Sequence, residues 1–462
     1  MELTQKTESR WKKYPETYRS AEMKTIANWI HSGMSGVIVG LPGMGRTTLI
    51  SYLWHRQEVL RNYLPDDARE TVFIPVDLNI LPKNDVSTFY RVILRSFYQV
   101  RQQFATHISE AVGQLYKDNR ATRDPFMPQS ALLELLDLFD RERIRVVWLL
   151  NFFDEFCRHT SAVLIRTLRS LRDHYKDSLH FLIGLQQEIH HFVDLGNISP
   201  LYHILDRNVL WVGGLSLPDT SLMLAREFQY LEQPPSKANI EALWHLTGGI
   251  PNLVRVSAQW YREQTEVPPQ KVWEEQILVL KQTQERLQQI WRSITEAEKL
   301  ALAALQTERV SRPSRKKKAQ GIQAQHIEAL EELEKKGLVK SVDNSWKIVS
   351  SLFADFSRHA KQGRGRIWFD QVTNQFYQGQ SRVEGLSGLE HALLFTLHES
   401  PQTKLTHSEM IESAWPEDVW KEGVSTDALY QHMSSLRRKV EPSHNKHLYI
   451  IKWRGQPEGG YQ

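Results

Sequence analysis

The sequence contains a single cysteine, Cys157, and no long apolar run. One cysteine excludes an internal disulfide framework and any zinc site built from several cysteines. The longest apolar run, 146–150, is far shorter than the roughly 20 residues that a membrane-spanning helix needs. The N-terminal segment lacks the apolar core of a signal peptide. These absences predict a protein of the reducing cytoplasm that does not enter a membrane.

The overall amino-acid composition is that of an ordinary folded protein. Hydrophobic residues make up 41% of the chain and charged residues 24%, which excludes an intrinsically disordered chain. The length of 462 residues predicts about three domains. The net charge of +4 is too small to indicate nucleic-acid binding by itself, so the distribution of charge along the chain is more informative.

Short apolar segments alternate with helical patterns in the first half of the chain. The predicted strands are 36–40, 72–77, 145–150, 180–184 and 210–212. The predicted helices between them include 47–59, 86–119 and 160–175. This alternation predicts a parallel sheet that helices cover on both faces.

A glycine-rich segment, 40–48, joins the first predicted strand to a helix and reads GLPGMGRTT. In this context backbone N–H groups turn toward a phosphate, and the helix N-terminus favours its negative charge. The segment matches the P-loop template G-x-x-x-x-G-K-[ST], except that arginine replaces the lysine. The candidate nucleotide-binding residues are Gly40, Pro42, Gly43, Gly45, Arg46, Thr47 and Thr48, and Thr47 is also the candidate ligand of Mg²⁺.

Arg46 is not equivalent to the usual lysine, because its guanidinium is longer, planar and more delocalised. Arg46 can bind phosphates. Its guanidinium, however, contacts the charge that develops on a transferred phosphoryl group with a geometry different from that of lysine. We therefore expect nucleotide binding to survive where hydrolysis does not.

The third predicted strand leads into candidate catalytic residues in two alternative registers. In the first, the segment resembles the L-L-D-E-F-D-E-L pattern of AAA+-like and STAND-type ATPases. That resemblance implies that Asn151 stands where the family has a magnesium-binding aspartate, and Phe152 where it has a water-activating glutamate. Asn151 can ligate only through a neutral amide oxygen, and Phe152 cannot activate water. In the second, Asp154 and Glu155 are the functional pair, unless they are only the solvated start of a helix. The first register is favoured, because Leu150 completes the apolar run.

Together these motifs resemble those of STAND-type and AAA+-like P-loop ATPases, over residues 14–290. Segment 247–255, TGGIPNLVR, is similar to the G-G-x-P segment of the family's helical lid. It puts Arg255 where such lids carry a phosphate-sensing arginine, the alternative being a surface arginine near a turn. Segment 18–22 lies where the family has a short motif near the adenine. The resemblance implies ATP or ADP with Mg²⁺ as ligands, and a nucleotide-dependent homo-oligomer as one assembly.

Residues 293–360 have the pattern of a small winged helix. Two helical stretches, 296–306 and 322–336, precede a hairpin-like stretch, 337–348. Inside the module lies a basic run that consists of Arg309, Arg312, Arg315, Lys316, Lys317 and Lys318. This run is either a solvated insertion or a nonspecific contact to nucleic acid.

After a glycine-rich basic linker, 361–366, the segments LSGLEHALLFTL, LTHSEMIESAW and LRRKV resemble the OmpR/PhoB-type winged-helix DNA-binding domain. Its recognition helix is expected at 424–440, with one apolar face formed by Leu429, Met433, Leu436 and Val440. The DNA-binding candidates on the other face and in the wing are Thr426, Tyr430, Gln431, Ser434, Arg437, Arg438, Lys452 and Arg454. Acidic residues dominate 409–427. We therefore expect this domain to face DNA phosphates with its basic C-terminal part and not with the acidic segment. A protein-binding winged helix with a basic surface is the alternative.

The predicted architecture is multidomain, α/β plus α+β. It comprises a parallel-sheet P-loop ATPase core (1–215), a helical lid (216–292), the middle winged helix (293–360), the linker (361–366) and the OmpR/PhoB-type winged helix (367–462).

Three functions fit this architecture. The leading one is a DNA-binding, transcriptional regulator in which ATP or ADP acts as a conformational switch with weak or no hydrolysis. The others are an ATP-hydrolysing machine of a defence or mobile-element system that loads on DNA, and a scaffold with a dead nucleotide site. Double-stranded DNA is the expected partner, with RNA polymerase or another protein as a further candidate. Measuring turnover and nucleotide affinity distinguishes the three.

Overall fold

The computed structural model describes residues 11–462 except 66–67, 84, 123, 190–197, 232–233, 311–325, 343–344, 362–366, 371–373, 379–380, 402, 442–446 and 456–457. The described residues form two units. The first holds those up to 305 together with 326–353, and the second holds 306–310 together with 354–462.

The first unit is built on a five-stranded parallel sheet with the strand order β2-β3-β4-β1-β5. Its strands are β1 (Gly36–Val39), β2 (Thr71–Pro75), β3 (Arg145–Leu150), β4 (Leu179–Leu185) and β5 (Val209–Trp211). The predicted parallel sheet is therefore confirmed. Because β1 lies inside the sheet, the loop that follows it emerges between neighbours at the carboxyl edge, where α/β folds bind ligands.

Helices cover both faces of this sheet, as predicted. Alternate residues of β1 point to opposite sides, so Ile38 joins one apolar cluster while Val37 and Val39 join the other. The helices on the Ile38 side are α1 (Ser20–His31), α2 (Arg46–His55) and α3 (Gln57–Arg61). The helices on the other side are α4 (Val86–Val100), α5 (Thr106–Asn119), α6 (Phe126–Arg141), α7 (Phe153–His159), α8 (Ala162–His174) and α9 (Tyr202–Leu205).

Two helix predictions were too long, and several helices were missed. The stretch 86–119 is two helices, because a 3-10 turn at Arg101–Gln103 interrupts it. The stretch 47–59 breaks at Arg56, which leaves helical geometry with φ −130° and donates to the carbonyl of Tyr14. Helix α6 had no counterpart among the predicted elements.

The segments predicted as the lid and the middle winged helix follow the sheet along the chain, and most of their elements are helices. The lid helices are α10 (Leu217–Glu227), α11 (Lys237–Thr247), α12 (Pro251–Glu263), α13 (Trp273–Leu278) and α14 (Lys281–Arg292). The winged-helix elements are α15 (Glu296–Val310), α16 (Ile327–Lys335), β6 (Val339–Val342), β7 (Ser345–Ile348) and α17 (Ser351–Lys361). β6 and β7 form the predicted antiparallel hairpin. Five of the six residues of the basic run, all except Arg309, fall in 311–325 and so lie outside the described residues.

The part of the predicted winged helix that belongs to the first unit, which includes Gly337 and Ser350, packs closely on the core and the predicted lid. A Cβ atom on Gly337 would lie 2.8 Å from the Cα of Gly213, so only glycine allows this approach of two backbones. The Ser350 hydroxyl donates to the carbonyl of Leu246, at the end of α11, over 2.7 Å. Core, lid and winged helix therefore share contacts with little room between them.

The second unit ends in a compact winged helix. Its strands are β8 (Ile367–Asp370), β9 (Gln375–Gln378), β10 (Ser381–Arg382), β11 (Leu405–Thr406), β12 (Lys452–Trp453) and β13 (Gly460–Tyr461), and its later helices are α18 (Gly388–Glu399), α19 (His407–Ala414), α20 (Glu417–Gly423) and α21 (Thr426–Val440). Two small sheets, β10-β9-β8 and β11-β13-β12, flank the helices. Across the described part of the chain, no helix combines the length and apolarity needed to cross a membrane.

Candidate nucleotide and DNA-binding sites

The glycine-rich loop lies between β1 and α2, as the sequence predicts. Gly43 and Gly45 have φ values of +86° and +90°, which side-chain-bearing residues rarely adopt. Helix α2 begins at Arg46, and the N–H of Leu49 donates to the Gly45 carbonyl over 3.0 Å. This geometry leaves the first N–H groups of α2 available to an anion. Thr47 is exposed in this first turn.

A cavity of about 330 Å³ opens beside the loop. Gly45 and Thr48 line it on the loop side, and Tyr14 lines it on the N-terminal side. The guanidinium of Arg226, on lid helix α10, lies 3.8 Å from the ring centre of Tyr14. Flat aromatic and guanidinium groups of this kind stack on a nucleobase. The cavity therefore places an aromatic ring and a guanidinium group next to the glycine-rich loop.

Arg255, which the resemblance to lid motifs makes a candidate phosphate sensor, lines this cavity. Its side chain is 59% exposed, and its Nε lies 3.9 Å from Glu227 Oε1. An exposed, loosely paired guanidinium can turn toward a phosphate at little cost. Its assignment as a phosphate sensor stays a prediction.

Arg19 connects the loop to three other segments, which the sequence did not reveal. Its backbone is left-handed, with φ 49°, and only 2% of the residue is exposed. Its Nη2 donates to the Met44 carbonyl over 2.8 Å and to the Gly213 carbonyl over 3.1 Å. Its backbone N–H faces Asp219 of lid helix α10, 3.4 Å away. The only sequence signal was its place in segment 18–22.

The start of lid helix α12 rests on the glycine-rich loop. The N–H of Asn252 points to the Gly43 carbonyl, 3.4 Å away. A Cβ atom on Gly43 would lie 2.7 Å from Asn252 Nδ2, and one on Gly45 would lie 3.3 Å from Pro251 Cγ. The G-G-x-P segment thus contacts the candidate phosphate site directly.

Arg46 is buried beneath the loop rather than free at its surface. Only 6% of the residue is exposed, and its guanidinium lies 5.3 Å from the ring centre of Phe152. Burial lowers the pKa of Arg46, and the nearby carboxylate of Asp154 opposes that shift. Neither Nε nor Nη1 of Arg46 has a hydrogen-bond partner. A buried cation with unused donors is a strong candidate for anion binding.

The candidate catalytic residues at the end of β3 have distinct surroundings. Asn151 directly follows the strand, and its Oδ1 accepts from the N–H of Phe152 over 3.0 Å. The alternative in which Asp154 belongs to a solvated helix start is wrong, because it is 2% exposed and burial raises its pKa. Glu155 is exposed and pairs with Arg158. This arrangement does not decide between the two registers, Asn151 with Phe152 or Asp154 with Glu155.

The recognition-helix candidates largely occupy the outer face of α21. Leu429, Met433, Leu436 and Val440 are buried, as predicted. The exposed candidates are Thr426, Gln431, Ser434 and Arg438 on the helix, and Lys452 and Arg454 beyond it. Tyr430 is half-buried, with its hydroxyl 3.4 Å from His407 Nε2 and Lys452 Nζ 4.0 Å from its ring centre.

Two of the three consecutive basic residues at the end of α21 are held within the domain. Arg437 Nη2 donates to the Ile450 carbonyl over 2.7 Å and its guanidinium lies over Tyr461, so it fixes the wing to the helix. Arg437 is one of the DNA-binding candidates of the sequence, and these contacts with the wing leave it only partly exposed. Lys439 pairs with Glu390 of α18. Arg438 is the exposed member of the three.

The sequence of this last domain matches a known family. Residues 381–462 fit the family model described as "Transcriptional regulatory protein, C terminal". The C-terminal segment is a winged helix of the OmpR/PhoB type. Residues 20–184 fit a second model, described as "Nephrocystin 3, N-terminal", which spans the glycine-rich loop and β1 to β4. With its parallel sheet and glycine-rich loop, the first unit has the fold of a P-loop ATPase core.

Similar solved structures share this part of the chain at low identity. A Walker-type ATPase of Pyrococcus abyssi is 14% identical, with 75% of this chain and 98% of that chain covered and a TM-score of 0.43. The ORC2 protein of Aeropyrum pernix, in ADPNP–ADP complexes, is 13% identical, with 74% and 94% covered and a TM-score of 0.37. The ORC1 protein of the same organism, in complex with DNA, is 13% identical, with 74% and 92% covered and a TM-score of 0.29. No curated protein matches the chain.

Proposed function

We propose that this chain is a DNA-binding transcription regulator whose P-loop unit binds ATP or ADP as a conformational switch, with weak or no hydrolysis. The observation that carries the proposal is the exposed basic surface of Arg438, Lys452 and Arg454, in a domain that matches a transcriptional-regulator family. Cytoplasmic location, RNA polymerase or another protein as a further partner, and a nucleotide-dependent homo-oligomer belong to the same proposal.

The switch part of the proposal is supported by the contact between lid and loop. A nucleotide that occupies the cavity beside Gly45 also meets the first residues of α12, which rest on the loop. The affinity of the chain for the nucleotide then differs between positions of the lid. Nucleotide binding therefore shifts the equilibrium between those positions. Ser350 of the middle winged helix is bonded to the end of α11, so a lid movement changes the winged helix too.

The direct test titrates the full chain with a duplex selected from a random library, followed by fluorescence anisotropy, with and without ADP or ATP. Coupling between two sites is typically about 1–3 kcal/mol, so nucleotide should change the Kd for DNA by about 5- to 150-fold. An unchanged Kd with nucleotide bound contradicts the switch and favours a scaffold. Absence of affinity for any duplex at low salt contradicts DNA binding itself.

For the DNA surface, we predict that Arg438→Ala lowers affinity for the selected duplex and reduces the preference over a scrambled one. A bidentate arginine–guanine pair gives about 1–3 kcal/mol of discrimination, which is about 5- to 150-fold in Kd. Arg454→Ala should instead weaken binding to both duplexes and reduce the salt slope by about one. Anisotropy titrations at two salt concentrations measure both effects.

Lys421→Ala is the matched control, because Lys421 is also an exposed cation of this domain, on α20, where it pairs with Glu417. We expect it to leave both affinities unchanged. If Lys421→Ala weakens binding as much as Arg438→Ala, the recognition surface has been assigned to the wrong end of the domain.

We also predict that ATP turnover is slow or absent. Arg46, Asn151 and Phe152 each replace a residue that the ATPase pattern uses in catalysis. Losing one well-placed charge stabiliser typically costs about two to three orders of magnitude in rate. A phosphate-release assay on the full chain measures the turnover, and Asn151→Asp combined with Phe152→Glu should raise it. Turnover of about one per second or more, abolished by Thr47→Ala, shows that the catalytic register was misassigned.

A further inference from the structure

Nucleotides usually bind to P-loop ATPases together with Mg²⁺, so the residues of this site can be tested for their fit to the ion. Mg²⁺ demands hard oxygen ligands in near-octahedral geometry and commonly takes a carboxylate from the protein. At the positions where the fold expects its ligands, this chain has the Thr47 hydroxyl and the Asn151 amide. Asn151 Oδ1 already accepts a hydrogen bond from the Phe152 N–H, and it carries no charge.

The carboxylates near Asn151 do not replace the missing aspartate. Asp154 is 2% exposed, its charge acts on Arg46, and Arg158 Nη2 lies 3.9 Å from its Oδ2. Glu155 pairs with Arg158, and His159 Nε2 lies 3.4 Å from its Oε1. Nowhere in the described part of the chain do three or more His, Cys, Asp or Glu side chains come together in a way that could hold a metal ion.

Arg46 supplies the positive charge that this arrangement otherwise lacks. It is more than nine-tenths buried at the glycine-rich loop, and its Nε and Nη1 lack hydrogen-bond partners. Leaving a buried charged donor without a hydrogen bond is costly, so phosphate oxygens that accept from both nitrogens would supply bonds that no protein group makes, although the Asp154 carboxylate also acts on this charge. A guanidinium also pairs with phosphate bidentately, and it stays charged in proteins.

We propose that this site binds the phosphates of ADP or ATP without Mg²⁺, with the Arg46 guanidinium neutralising the phosphate charge in place of the ion. The inference rests on the proposed function, nucleotide binding at residues 40–48. It adds that nucleotide binding in this chain no longer requires Mg²⁺. Two features account for this: Arg46 stands where the P-loop pattern has lysine, and Asn151 offers only a neutral amide.

Isothermal titration of the full chain with ADP tests this inference in two buffers, one with excess EDTA and one with excess Mg²⁺. For the wild-type chain we expect Kd values that agree within about threefold, a difference below 1 kcal/mol. The variant Arg46→Lys with Asn151→Asp restores both residues of the P-loop pattern. It should bind ADP at least about tenfold more tightly with Mg²⁺ than with EDTA.

A third chain, Arg46→Gln, keeps a polar side chain at position 46 and removes its charge. It should lose affinity for ADP in both buffers, while thermal unfolding reports whether it is folded. Binding by the wild-type chain with Mg²⁺ but not with EDTA overturns the inference and leaves nucleotide binding intact. Absence of wild-type binding in both buffers overturns the inference and the proposed nucleotide function together.

Discussion

A chain with aspartate in place of Gly45 should fail to bind nucleotide. Gly45 adopts φ +90°, and a Cβ atom there would lie 3.3 Å from Pro251 Cγ. The new carboxylate would stand where the phosphate charge belongs. Because charge-assisted hydrogen bonds to phosphate contribute about 1.5–3 kcal/mol each, we expect ADP affinity to fall at least about a hundredfold. Isothermal titration of the full chain measures the change.

Two variants separate the loss of binding from a loss of folding. Gly45→Ala carries the same backbone strain without the charge, and it should retain more affinity than Gly45→Asp. Gly388→Asp introduces the same side chain at the start of α18, where a Cβ atom meets nothing within 4 Å, and it should bind ADP as the wild type does. Equal affinity of Gly45→Asp and the wild type places the nucleotide elsewhere.

The largest stability effect is expected from Lys336→Ala. Lys336 Nζ lies 2.5 Å from Glu298 Oε1, and the two side chains are 4% and 3% exposed. Breaking a buried ion pair by removing one partner typically costs about 3–5 kcal/mol, because the other charge stays buried without its counterpart. Glu298 also caps α15 by accepting from the N–H of Thr295 over 2.7 Å. Denaturant unfolding of the full chain, followed by calorimetry of the same variants, measures the loss.

The neighbouring residue provides the control for this prediction. Lys335 pairs with Glu332 on the surface, where its side chain is 56% exposed, so Lys335→Ala should change stability by less than about 1 kcal/mol. The double variant Lys336→Met with Glu298→Gln removes both charges and retains an acceptor for the α15 cap. It should recover much of the loss. Equal destabilisation by Lys335→Ala and Lys336→Ala shows that burial does not decide the strength of this pair.

The two candidate sites differ in how their residues are distributed along the chain. The DNA surface comes almost entirely from one helix and the hairpin beside it, and the exposed members Gln431, Ser434 and Arg438 follow from the helical period. The nucleotide cavity is assembled from the N-terminal segment, the loop after β1 and two lid helices. Of these parts, only the loop after β1 has a sequence pattern that is sufficient by itself to identify a candidate nucleotide site.

The sequence by itself determined the parallel sheet, the glycine-rich loop and the buried stripe of α21. These features depend on local periodicity and on glycines at fixed spacing. Each can therefore be recognised from its own short segment of the sequence. It also marked Arg46, Asn151 and Phe152 as departures from the ATPase pattern. Helix ends were less certain, because the break at Arg56 depends on a hydrogen bond to Tyr14, 42 residues away in sequence.

The tertiary structure decided which charged groups meet. Arg19 reaches the carbonyls of Met44 and Gly213, and the Asp154 carboxylate lies near enough to Arg46 to oppose the lowering of its pKa by burial. It also decided that Arg437 supports the wing while Arg438 remains exposed. A sequence states which side chains carry charge, but burial and long-range contacts set the cost of leaving each charge unpaired. Those contacts join segments up to about two hundred residues apart, so no local pattern contains them.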